Sequence, residues 1–181
     1  MKTIFTFIFI SFFQLFSFGQ DSCTVSIPIR NQQILDTIAK YGRSISPTYE
    51  SAVCTEFVIG VLDHFIDLNK TDITNVRINQ PRKSIEDVYQ QLLDNSPYPK
   101  GVYHALTSNG KGTAIDDWSQ VLPGDFVQFW YYRSWGHCGI VDSIDVENKI
   151  MRLHSSFPST SGYGVQEFDI PEYCWFVRLN E

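Results

Sequence analysis

The sequence predicts an α+β domain in which N-terminal helices pack on a small antiparallel sheet or barrel. Three observations predict it. Apolar residues recur at helical spacing as far as Asn95, whereas from Leu122 onward short runs rich in aromatic and β-branched residues alternate with turn residues. No linker, repeat or low-complexity tract divides the chain.

The elements follow in order. Ile34, Leu35, Ile38 and Tyr41 mark an amphipathic helix over 31–41, with Gly42 as its stop. RSISPTYE, with Pro47, reads as a loop into a longer helix over 51–67, whose stripe includes Val53, Cys54, Phe57, Val61 and Phe65. A polar connection follows, and Ser84 then opens a third helix, SIEDVYQQLLDN, with Asp87 as a weak capping-box partner and Pro97 beyond its end. The stretch 97–118 is rich in loop residues, and VYHAL within it fits a strand or a helical turn. Five strands come next, in PGDFVQFWYY, HCGIVDSI, NKIMRLHSSF, GVQEF and YCWFVRL.

The first residues, MKTIFTFIFISFFQLFSFGQ, combine Lys2, an uncharged apolar run and small residues near Gly19. This is the pattern of a secretory signal peptide, cut after Gly19, since the run is short for a bilayer span. The chain is then expected to be secreted or periplasmic, with 20–181 as a single domain. A lipoprotein signal acylating Cys23 is the alternative, but Gln20, Asp21 and Ser22 lack the usual approach to such a cysteine. With 181 residues, 15% aromatic and a net charge of −6, the chain reads as a folded globular protein without the basic patch that nucleic-acid binding requires. Four cysteines in an exported chain allow disulfides, and Cys23 and Cys174, near the two ends, are candidates. The sequence alone fixes no pairing.

Cys54 falls in the first turn of its helix, where free N–H groups and the helix dipole favour a thiolate. In the strand HCGIVDSI, His137 and Cys138 point to opposite faces. A bulge-free hairpin with the loop at 145–148 places His154 opposite residue 139, on the face of His137. The expectation is therefore a nucleophile, Cys54, a base, His137, and a residue orienting that base, His154, with Cys138 turned away. The plainer reading of the same residues is two satisfied strand histidines and core cysteines. A Cys-His-His metal set is a third, unsupported by any close ligand spacing. No cofactor is called for. Trp135, two residues before His137, and Tyr49, upstream of Cys54, are candidate substrate-binding residues, and the Cys54 N–H is a candidate oxyanion donor. Asp125 reads as a turn residue.

In order, Cys54 at a helix start, Pro123-Gly124-Asp125 before an aromatic strand, His137 with Gly139 and Ile140, and His154 in RLHSS resemble the NlpC-type cell-wall peptidases. These are papain-like enzymes related to the CHAP amidases. The resemblance runs from about Tyr41 to the C-terminus and implies a papain-like fold, a cysteine peptidase or amidase, and peptidoglycan or a peptide as substrate, cut in the stem peptide or at the sugar–peptide amide. This chain departs from the family at Val53, Thr55 and Glu56, where Asp before the cysteine and Ser-Gly after it are common. A non-catalytic wall-binding or interaction module on the same fold is the rival expectation.

Overall fold

The computed structural model describes residues 26–78 and 85–181, with nothing said of the Ile85 and Glu86 side chains. The expected signal peptide, Cys23 and the Ser84 cap lie outside the described residues. The fold is α+β, with helices on a six-stranded, wholly antiparallel open sheet ordered β1-β6-β2-β3-β4-β5. Strands β2 (Phe126–Trp130), β3 (Gly136–Asp145), β4 (Ile150–Phe157) and β5 (Gly162–Asp169) form the expected meander. Strand β6 (Tyr173–Leu179) returns beside β2, and β1 (Gly112–Ile115) closes that edge. Among the described residues no helix is long and apolar enough to cross a membrane.

Helix α1 spans Ile29–Ile45 and runs through Gly42 rather than stopping there. A Cβ at Gly42 would lie 3.0 Å from the Tyr163 ring, so this glycine serves close helix–sheet packing. Helix α2 is Cys54–Leu62, shorter than the expected 51–67, because Thr48 to Ser51 form a hydrogen-bonded turn ahead of it. The segment read as a polar connection contains α3, Lys70–Val76, opened by a reciprocal capping box of Asn69 and Asp72. Helix α4 covers Ile85–Leu93. The VYHAL stretch is helical, within α5, Gly101–Thr107.

The sheet buries both faces. Phe126, Cys138, Ile140 and Val177 join Ile34 and Ile38 of α1, Phe57 and Val58 of α2, and Val102 of α5 in the helix-side core. Val127, Phe129, Val141, Met151, Leu153 and Phe176 build a second core on the opposite face. The strands accordingly lack the polar-out pattern of a half-solvated sheet, and every residue of β2 is buried.

The PGD turn fastens the two layers. Gly124 adopts φ 91°, and a Cβ there would stand 2.7 Å from the Asn31 carbonyl oxygen. Asp125, fully buried, accepts from Asn31 Nδ2 at 2.8 Å, from the Leu122 N–H at 2.7 Å, and from Arg178 Nε and Nη2 at 2.8 and 2.7 Å. It is more than a turn residue, for it ties α1, β2 and β6 together. Asp125→Ala removes the buried carboxylate that Arg178 and Asn31 share, leaving them only the Gln120 and Pro123 carbonyls, and should cost about 3–5 kcal/mol. Arg152→Ala, at an exposed partner of Asp142, should cost under about 1 kcal/mol. Denaturant midpoints of the two variants check the contrast.

Candidate active site

Cys54 is the first residue of α2, and the N-cap, Val53, offers no side-chain hydrogen bond to the first turn. Those N–H groups therefore remain available to an anion. Polar clamps hold the preceding loop. The Ala52 carbonyl accepts from the Ser46 hydroxyl at 3.0 Å and the Ser156 hydroxyl at 2.5 Å, and the two hydroxyl oxygens lie 2.8 Å apart. Tyr163 N–H donates to the Ser46 carbonyl at 3.0 Å. Cys54 is thus fixed relative to β4 and β5.

The site lies where the sheet opens. Pairing of β3 with β4 runs from Asp145↔Ile150 to Ile140↔His154. Beyond that pair the Ser155 hydroxyl bonds the Cys138 carbonyl at 2.8 Å. At this open end Cys54, His137, Phe157 and Pro158 line one cavity.

Two groups act on the Cys54 thiol. Its pKa is lowered well below the usual thiol value, first by a hydrogen bond from the Cys138 thiol, against burial that raises it, then by a hydrogen bond and attraction from His137. Cys138 is fully buried, and the adjacent Cys54 and its own burial push its pKa well up, so it is the protonated donor of the pair. The expectation that Cys138 turns away is corrected. It lies on the helix side of β3 with Ile140 and Phe126, the face against which α2 packs. No disulfide joins Cys54, Cys138 and Cys174.

His137 is 8% exposed and sits among aromatic rings. Phe157 stacks on it at 5.0 Å and 24°, and Phe129, Trp135 and Phe168 surround it at 5.9, 6.2 and 5.8 Å. Its Nε2 has no hydrogen-bond partner. Gln128, unmarked by any sequence signal, steadies the backbone by donating from Nε2 to the His137 carbonyl at 2.9 Å.

His154 does not join His137. The hairpin closes on Asp145↔Ile150 with a four-residue loop, a register that by itself keeps His154 on the His137 face. A bulge at Asp142 then shifts the pairing by one, sets His154 opposite Ile140, and turns it to the helix side. There its Nδ1 lies 3.1 Å from the Tyr163 hydroxyl and its Nε2 3.2 Å from Asp142 Oδ1. Burial lowers its pKa although Asp142 opposes this, which favours a neutral ring accepting from Tyr163 and donating to Asp142. The Cys-His-His metal set is not assembled either, and among the described residues no group of three or more His, Cys, Asp or Glu side chains is placed to hold an ion.

Tyr49 and Trp135 both border the site. Tyr49 lines the clefts on both sides of Cys54, and its pKa is raised by burial and by Cys54, which keeps it a hydrogen-bond donor. Trp135 is 44% exposed at the rim. Phe157 and Phe168 carry no signal in the sequence, and the β4–β5 register pairs them with Gly162 and Met151, so only the ring contact at 5.8 Å reveals that they meet.

Alkylation of Cys54 by iodoacetamide, followed against pH, should inflect well below the ordinary thiol pKa of about 8.5. The thiolate is the reacting form, so the rate is held at neutral pH and falls only as pH drops through the lowered value. Cys138→Ala and His137→Ala should each move the inflection upward. An ordinary inflection in the unaltered protein would contradict this account. No family model, no curated protein and no solved structure matches this chain.

Proposed function

We propose that the chain is an exported cysteine amide hydrolase of papain-like, NlpC type, with peptidoglycan as its substrate. The observation that carries the proposal is the Cys54 thiol at an uncapped helix N-terminus, lining one cavity with His137 and Cys138, both of which lower its pKa. The order of motifs supports the family, and the N-terminal sequence supports export to the periplasm or beyond.

In the reaction the Cys54 thiolate attacks the amide carbonyl carbon, and free N–H groups at the start of α2 receive the developing oxyanion. Protonated His137 gives its proton to the leaving amine as the C–N bond breaks, leaving a thioester on Cys54. His137 then takes a proton from water, the hydroxide adds to the thioester, and the acid product leaves. Catalysis is assigned to this dyad. His154 acts at a distance by holding β4 to β5 and to the Asp142 bulge.

One observation favours the rival wall-binding module: no polar side chain orients His137 Nε2. Purified peptidoglycan and soluble muropeptides, incubated with the mature protein and its Cys54→Ala variant and examined by mass spectrometry, separate the two. Products that require Cys54 establish the hydrolase and identify the bond; binding without products supports the module. In the hydrolase, His137→Ala should lower turnover about a thousandfold, whereas His154→Ala, which loses one partly buried hydrogen-bonding group, should lower it by less than about tenfold.

A further inference from the structure

Cys54 divides its cleft into two unlike halves. One half, about 260 Å³, is bordered by Thr55, Gln128 and Arg77. Arg77 is itself bound by Glu56 through two 2.8 Å contacts. The other half, about 410 Å³, is walled by Trp135, Phe157, Phe168 and Pro158, with Tyr49 and Gln166 at its polar points, and beyond Cys54 and His137 its lining holds no Asp, Glu, Lys or Arg. Its rings stand at packing distance, Phe157 from Phe168 at 5.8 Å and Trp135 from Phe168 at 6.1 Å.

We propose that this aromatic half is a selectivity pocket that seats a bulky, uncharged apolar group, an alkyl or aryl side chain or acyl chain, beside the scissile carbonyl. The assignment rests on the reading of Cys54 as nucleophile. A carboxylate or ammonium entering the pocket loses its water and, beyond the Cys54–His137 pair, whose two charges offset each other, meets no charged side chain, so it is disfavoured. An apolar group gains by burial and stacks on rings already in place. The polar parts of the substrate then fall in the Arg77 half. The substrate class is thus an amide flanked on one side by an uncharged apolar unit.

Three reagents sharing the iodoacetamide warhead test this without turnover: N-benzyl, N-(2-hydroxyethyl) and N-carboxymethyl iodoacetamide. Modification of Cys54 is followed by peptide mass mapping. The N-benzyl reagent should saturate and should react at least about tenfold faster than the neutral hydroxyethyl reagent, as burial of one ring allows, and the carboxymethyl reagent should be slowest. Trp135→Glu, at an exposed position, should bring the benzyl-to-hydroxyethyl ratio toward one. Equal benzyl and hydroxyethyl rates, or a ratio that Trp135→Glu leaves unchanged, overturn the pocket while the hydrolase reading stands. If Cys54 is inert to all three, the nucleophile reading falls and the pocket is judged separately. N-acetylphenylalaninamide titrated into the Cys54→Ala protein should then shift the Trp135 indole N–H resonance saturably, and an unmoved resonance overturns it.

Discussion

The position of Cys54 depends on one carbonyl oxygen. The Ala52 carbonyl accepts two hydroxyls, from Ser46 at the end of α1 and Ser156 near the end of β4. All three groups lie out of water, where an unmade hydrogen bond costs about 1–3 kcal/mol. The loop therefore has one low-energy seat against the sheet. Two residues later α2 begins, so the thiol inherits that seat. A loop tethered only by apolar contact could slide along the helix-side core, and the distance from Cys54 to β3 would slide with it.

That seat decides the thiol's charge. Burial of a thiol raises its pKa, by up to about 3–5 units when complete, and for Cys174, deep in the second core, nothing opposes the rise. Cys54 is half-buried, and burial raises its pKa too, yet its shift is reversed. The difference lies in the donors: the Cys138 thiol from the helix side of β3, the His137 ring from the open strand end, and the helix N-terminus behind. Adjacent strand residues point to opposite faces, so His137 and Cys138 reach one sulfur only because α2 begins where β3 and β4 cease to pair. Glu56, which would oppose a thiolate from the same first turn, is drawn off by Arg77.

Much of this was legible in the residues. Periodicity located α1, α2 and the strands from β2 to β6, and it placed Cys54 in the first turn of α2, although the helix starts at Cys54 itself rather than at Ser51. The fate of His154 was not legible. Both the expected and the observed hairpin loops preserve the same face parity, and the single extra residue at Asp142 reverses it for everything beyond. Bulges of this kind carry no glycine or other composition signal here, because their cause is tertiary: Asp142 is drawn to His154 and Arg152. Cys138 was misplaced for a related reason. Alternation gives two faces but not which face the helices cover, and Ile140 and Val141 are equally apolar. The short helix α3 did have a local signal, Asn69 with Asp72 three residues on, that the surrounding polarity obscured.

The absence of a polar orienter at His137 has a physical substitute. In a triad, a third group fixes both the plane and the tautomer of the imidazole. Here Phe157, stacked at 24°, and Phe129, standing edge-on, fix the plane by close packing alone. Burying Nε2 without a partner costs about 1–3 kcal/mol, which the packing of Phe129, Phe157 and Phe168 around the ring must outweigh for His137 to keep this position.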